Sequence, residues 1–177
     1  MDEHLKETFV SAEQIYSGKM VNLRRDIVSL PNGKQASREV VEHPGAVAIV
    51  PVLPDGRILL VRQFRHPVGR VLLEIPAGKL DPGESPDACA VRELEEETGY
   101  RAKSLERKAS IFTGPGFTNE VIHLYLAHDL LKTAANPDED EFLEVGAYTK
   151  QEVRRMVREG LICDAKTISG LYLLQDD

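Results

Sequence analysis

Gly78 to Tyr100 reads GKLDPGESPDACAVRELEEETGY, and most of the chain's architecture can be worked outward from it. Asp81-Pro82-Gly83 is a turn. Ser85 suits a helix N-cap, Pro86 the first helical position and Asp87 the positive helix end. Ala88, Ala90, Val91 and Leu94 supply a stripe to bury, and Gly99 suits the left-handed residue that closes a helix. The segment is therefore a loop feeding a short helix, whose last turns carry Glu93, Glu96 and Glu97. Positions three and four apart share a helix face, so three carboxylates crowd one patch. They also sit near the C-terminus, where the helix dipole disfavours negative charge. A divalent cation that neutralises them is the simplest explanation. Glu93 and Glu97 are the best-aligned pair of ligands, and Glu96 flanks the same face. Arg92 points about a quarter-turn away and is placed to pair with Glu84, tying loop to helix.

The run LEEETG alone is a common solvated helix end. The full spacing is not: its seven fixed letters, each at roughly 5–7% background usage, coincide by chance in about one window in a billion. Gly78, Glu84, Arg92-Glu93-Leu94, Glu96-Glu97 and Gly99 match the signature of the Nudix hydrolases at every fixed position. Tyr100 stands where an aliphatic residue is more usual, at a packing position. The resemblance implies hydrolysis of a nucleoside diphosphate linked to a second group, with Mg²⁺, or Mn²⁺ in its place. It adds the Ala77 carbonyl to Glu93, Glu97 and Glu96 as metal ligands.

Composition is consistent with such an enzyme. The chain has 177 residues, 42% of them hydrophobic, and a net charge of -7 without a Lys/Arg cluster. This size supports a real core, and the charge argues against nucleic-acid or anionic-membrane binding. Cys89 and Cys163 fall in helical patterns without metal spacing and are expected as buried thiols in a reducing compartment. The start, MDEHLKETFV, lacks the apolar core of a signal peptide, and a cytoplasmic protein is expected.

Strands are expected over 8–17, 19–30 and 36–43, with turns at Ser17-Gly18 and Pro31-Asn32-Gly33. Residues 46–53 and 57–64 flank Pro54-Asp55-Gly56 and suggest a hairpin. A short strand over 71–78 enters the loop, and further strands follow over 102–113, 120–128 and 142–148, with a polar loop at Asn136–Asp140. Thr149 and Glu152 form a capping box for a helix to about Glu159, and Asp164 caps another to about Leu174. Strands flanked by helices give an α+β protein, an α/β/α sandwich around a mixed sheet. The Nudix resemblance implies the same fold over about 45–177.

Residues 1–44 are too few to hold a core alone and must pack on the main domain or on a second chain. LPNGKQASREVVEHPGAVAIVPV, VRQFRHPV, LLEIPAGKLDPGE and TGPGFTNE resemble bacterial ADP-ribose pyrophosphatases of the Gram-positive type. That likeness implies a homodimer with exchanged N-terminal strands. Pro115, fifteen residues past Tyr100, stands where that subfamily has its marker proline. A glutamate in the following loop, here Glu120, is implied as general base or metal ligand; otherwise it is an ordinary residue at a strand start. Arg65 and Arg38 are the candidate phosphate contacts, since guanidinium forks match phosphate geometry; either is alternatively a surface strand residue. Glu74 stands in an apolar run and needs a partner, either a substrate hydroxyl or Arg65. Phe117 either contacts the sugar or base or packs the loop. The histidines at 4, 43, 66, 123 and 128 form no metal motif, and His123 reads as structural. The alternatives to ADP-ribose hydrolysis are action on other nucleoside diphosphate sugars and a non-catalytic ADP-ribose-sensing module. The latter predicts lost signature glutamates, and all are present.

Overall fold

Ala46–Pro51 is buried at every position, as expected of a strand with a neighbour on each edge and a layer on each face. The computed structural model describes residues 2–134 and 142–176, so the Asn136–Asp140 loop lies outside the described residues. The chain forms two units: Met1–Pro44 with Phe112–Val121, and Gly45–Ile111 with Ile122–Asp177.

The larger unit is built around that buried strand, β4. Three strands precede it: β1 (Thr8–Ser17), β2 (Asn22–Ser29) and β3 (Gln35–Glu42). After it come β5 (Ile58–Arg65), β6 (Arg70–Glu74), β7 (Ala77–Lys79), α1 (Pro86–Thr98), β8 (Tyr100–Phe112), β9 (Val121–Lys132), β10 (Leu143–Tyr148), α2 (Lys150–Arg158) and α3 (Ala165–Tyr172). One sheet has the order β7-β4-β9-β8 and a second the order β10-β5-β6. β4 is antiparallel to β7 and parallel to β9, which makes the sheet mixed.

Side-chain alternation along β4 sorts the helices. Ala46, Ala48 and Val50 cluster with Val153 of α2, Ile162 and Leu174. Val47 and Ile49 cluster with Cys89, Ala90 and Leu94 of α1. One face thus carries α1 and the other α2 and α3, the expected sandwich. Each fully buried Val or Ile in this strand contributes about 1.5–3 kcal/mol.

Two expectations about the sheets of the larger unit are corrected. β4 and β5 are not a hairpin: they share the bridge Val52↔Ile58 beside the Pro-Asp-Gly turn and then part into different sheets, because β7 and β9 occupy both edges of β4. The expected strand over 71–78 is two strands, β6 on β5 and β7 on β4. Pro76 lies at the break and has no N–H to continue a ladder.

The helix signals appear as read. Ser85 accepts from the Ala88 N–H, Gly99 takes φ 68° at the C-cap, Thr149 and Glu152 close a capping box, and Asp164 caps α3. Cys89 is buried, and burial pushes its thiol up to about 12. Cys163 departs from expectation. It is exposed, because it precedes the Asp164 cap and so escapes the helix it was assigned to.

The smaller unit is an antiparallel meander, β1-β2-β3. β2 starts at Asn22 rather than at 19, since Gly18 and Val21 close the connection with a backbone bond. Asp26 and Val28 of β2 are buried, whereas β1 is exposed throughout and displays Phe9, Val10, Ile15 and Tyr16.

Candidate active site

The break at Pro76 and the Ser85 cap together aim α1 at the backbone of β7. Glu97, only 2% exposed, accepts the Ala77 N–H at Oε2 (3.2 Å). Glu93, 9% exposed, lies directly over Gly78: a Cβ there would stand 2.0 Å from its Cδ and Oε1. Ala77, Gly78, Glu93 and Glu97 are therefore brought together, and the absence of a side chain at Gly78 leaves the carboxylate room to sit where it does.

Arg92 organises the other side. Its Nε and Nη2 donate to the two Glu84 oxygens (2.9 Å each), and Nη1 donates to Glu93 Oε1 (2.6 Å) and Glu96 Oε2 (3.0 Å). The Lys79 carbonyl accepts a further bond at 3.3 Å. The hydrogen bond from Arg92 holds the Glu84 carboxyl at about 2, and Glu84 in turn raises the guanidinium further. The expected Arg92–Glu84 pair is present, and Arg92 also holds Glu93 and Glu96.

Arg65 and Glu74 form the second cluster of this unit. Arg65 Nε and Nη2 donate to the two Glu74 oxygens (2.9 Å each), and Lys166 Nζ also donates to Glu74. Lys166 reaches Asp164 at 3.0 Å, while the Thr167 hydroxyl donates to Asp164 (2.6 Å) and accepts the Ile75 N–H (3.0 Å). Burial pushes the Glu74 carboxyl up, but Arg65 and Lys166 outweigh it and hold it low. Of the two partners open for Glu74, the structure supplies Arg65. Lys166 was missed: it lies 92 residues away in sequence, and no local pattern marks it.

Arg38, Phe117 and Glu120 belong to the smaller unit. Arg38 donates to both Glu7 oxygens, and Phe117 is exposed. Glu120 accepts from the Thr113 hydroxyl and lies 3.4 Å from His43 Nε2. His123 Nδ1 bonds the Ser110 hydroxyl at 2.8 Å, in keeping with a structural role.

Among the described residues, no group of three or more His, Cys, Asp or Glu side chains stands ready to hold a metal ion, because Glu93 and Glu96 turn onto Arg92. The donor set still fits a hard divalent cation, which takes oxygen ligands. Two buried carboxylates lie one helical turn apart against the Ala77-Gly78 backbone, and the cradle beside Glu93 is one that a Cβ would fill.

The NUDIX domain model matches residues 42–167. The chain belongs to the Nudix family. It is 47% identical over 173 residues to an ADP-ribose pyrophosphatase of Bacillus subtilis, covering 97% of this chain and 94% of that protein. It is 45% identical over 177 residues to the methanol dehydrogenase activator of Bacillus methanolicus, covering 99% and 96%. A crystal structure described as an ADP compounds hydrolase superposes with a TM-score of 0.86 at 24% identity, over 97% of this chain and 93% of that one. This Nudix chain is a hydrolase, and Nudix ADP-ribose pyrophosphatases depend on a divalent metal. Among the described residues, no helix is long and apolar enough to cross a membrane.

Proposed function

We propose that this chain hydrolyses the pyrophosphate of ADP-ribose to AMP and ribose 5-phosphate, with Mg²⁺ as its metal and Mn²⁺ as an alternative. The observation that carries the proposal is the buried Glu93–Glu97 pair set against Ala77-Gly78 by an intact signature helix. The 47% identity to an ADP-ribose pyrophosphatase supports the choice of substrate.

Glu93, Glu97 and the Ala77 carbonyl hold the cation in this reading, with Glu96 flanking them. When bound, the metal offsets the pyrophosphate charge and promotes attack by water. Arg65 binds a phosphate: Glu74 fixes one edge of its fork, and the side chain remains 39% exposed. Glu120 is the proton acceptor, an assignment that rests on the resemblance of its loop to the subfamily; Arg38 is a phosphate contact through its guanidinium fork, and Phe117 contacts the sugar or base. β1 supports a homodimer with exchanged N-terminal strands, since its ten residues are all exposed and several are large and apolar. Residues 1–44 are the dimer-forming region and 45–177 the hydrolase domain in this proposal, which places the enzyme in the cytoplasm.

The 45% identity to a methanol dehydrogenase activator supports a second reading, in which the same hydrolytic site serves to stimulate a methanol dehydrogenase. One substrate panel tests both: kcat/KM with Mg²⁺ for ADP-ribose, ADP-glucose, UDP-glucose, GDP-mannose and NADH, run beside a methanol dehydrogenase assay. A clear lead for ADP-ribose supports the first reading. A lead for another nucleotide sugar overturns the substrate and leaves the metal chemistry, whereas stimulation of the dehydrogenase that Glu97→Gln abolishes supports the second.

A further inference from the structure

We propose that His43 is a positioning residue for the Glu120 carboxylate, acting with Thr113. The inference rests on the reading of Glu120 as proton acceptor and concerns only the smaller unit. There, Phe112–Val121 is folded onto the end of β3. The Val41 N–H donates to the Phe117 carbonyl (2.7 Å), and Val41 bridges Thr118 in parallel. Two residues on, the His43 N–H donates to Asn119 Oδ1 (2.8 Å). The end of β3 and the three residues preceding Glu120 are thereby held in register.

The side chains complete the clamp. The Thr113 hydroxyl donates to Glu120 Oε2. His43 Nε2 lies 3.4 Å from Oε1, and the two side chains are 18% and 25% exposed. The Thr118 hydroxyl accepts the Glu120 N–H at 3.2 Å. Each carboxylate oxygen thus has its own partner, one from each end of the loop and strand. A free surface glutamate samples several rotamers. This one is held in a single orientation, as a group that must meet a reacting proton requires. The 3.4 Å separation is long for a hydrogen bond, so His43 contributes by facing its Nε2 to Oε1 rather than by a tight bond. The Asn119 bond fixes the backbone from which the ring projects.

The test is a double-mutant cycle in the full chain with saturating Mg²⁺ and varied ADP-ribose, measuring kcat and KM for wild type, His43→Ala, Glu120→Gln and the double variant. His43→Ala is expected to lower kcat about tenfold, the scale of coupling between residues in contact, with KM changed less than about twofold. The loss should vanish in the Glu120→Gln background. His43→Gln, which keeps an N–H donor, should restore most of kcat. Thr113→Val should behave like His43→Ala and carries the same cycle if His43→Ala melts early. An equal loss in both backgrounds, or no loss from His43→Ala, overturns the positioning role while leaving Glu120 as proton acceptor. Wild-type kcat in Glu120→Gln removes the proton-acceptor reading itself, and the positioning role falls with it.

Discussion

Gly78→Ala should inactivate the enzyme without unfolding it. The new Cβ would stand 2.0 Å from Glu93 Cδ and Oε1 and 2.4 Å from Oε2. Non-bonded carbon contacts settle near 3.5–4.0 Å, so the carboxylate must retreat by about 1.5 Å. It can do so, because it is the far end of a flexible side chain and Gly78 shows no left-handed backbone that alanine would strain. The main loss to folding is then the 2.6 Å bond from Arg92 to Glu93, about 1.5–3 kcal/mol for a bond between charged groups. The cost to activity is larger. A misplacement of about 1 Å at reacting groups can cost roughly a hundredfold, and Glu93 would also face the metal from a new position. Mn²⁺ affinity by titration, kcat/KM at saturating metal and a urea melt separate the terms. The expected result is a fold loss under about 3 kcal/mol, with weakened metal binding and turnover down by about two orders of magnitude. Wild-type turnover and metal affinity would refute the inference that Gly78 exists to seat Glu93.

Four further outcomes are expected. Glu97→Gln keeps an acceptor for the Ala77 N–H, so the melt should hardly change while kcat falls by about 10²-fold or more. Glu74→Ala removes the carboxylate shared by Arg65 and Lys166; breaking such a buried pair costs about 3–5 kcal/mol in urea, and KM should rise as Arg65 loses its anchor. Arg92 holds the Glu84 carboxyl at about 2 against an ordinary 4.5. Its stabilisation is therefore complete above pH 4.5 and lost as pH falls toward 2. Glu84→Gln should be less stable at pH 7 with a shallower acid limb, and equal limbs would count against the pair. Deleting residues 1–44 should abolish the dimer in sedimentation, and a soluble, active monomer would sink the exchanged-strand proposal.

The parts of this protein legible in its sequence are those in which cause and effect lie within one or two turns of chain. The Ser85 cap, the Gly99 terminus and the Thr149–Glu152 box each depend on neighbours, and each forms as read. Arg92 with Glu84 was legible for the same reason, since a helix face and a short loop fix the spacing. Strand existence was legible from alternation, but strand pairing was not. The turn at 54–56 suggested that β4 continues against β5, whereas the uniform burial of β4 is the mark of a strand already flanked on both edges. A pattern of period two states which residues are covered and is silent on what covers them. Lys166 illustrates the limit. The need of Glu74 for a partner was visible from its apolar surroundings, and Arg65 was near enough in sequence to be considered beside a substrate hydroxyl. Lys166 arrives from the far end of the chain because α3 packs beside β4, a fact of tertiary structure alone.

Pro76 ties these observations to chemistry. Had the strand over 71–78 run on unbroken, Glu74 and Ala77 would lie on one ladder, and the backbone at 77–78 would stay with β5. The break instead gives β6 to β5, where Glu74 meets Arg65 across the same sheet, and β7 to β4, where Ala77 and Gly78 meet α1. Two residues without ladder continuity thus separate the guanidinium proposed to bind phosphate from a carboxylate pair and fix each on its own sheet. Rigid elements hold reactive groups more closely than loops do. The separation also lets Glu74 be fully paired with cations while Glu97 stays against backbone. On this view the proline matters for what it prevents: a ladder that would have drawn the anchor of Arg65 and the seat of Glu93 into one strand.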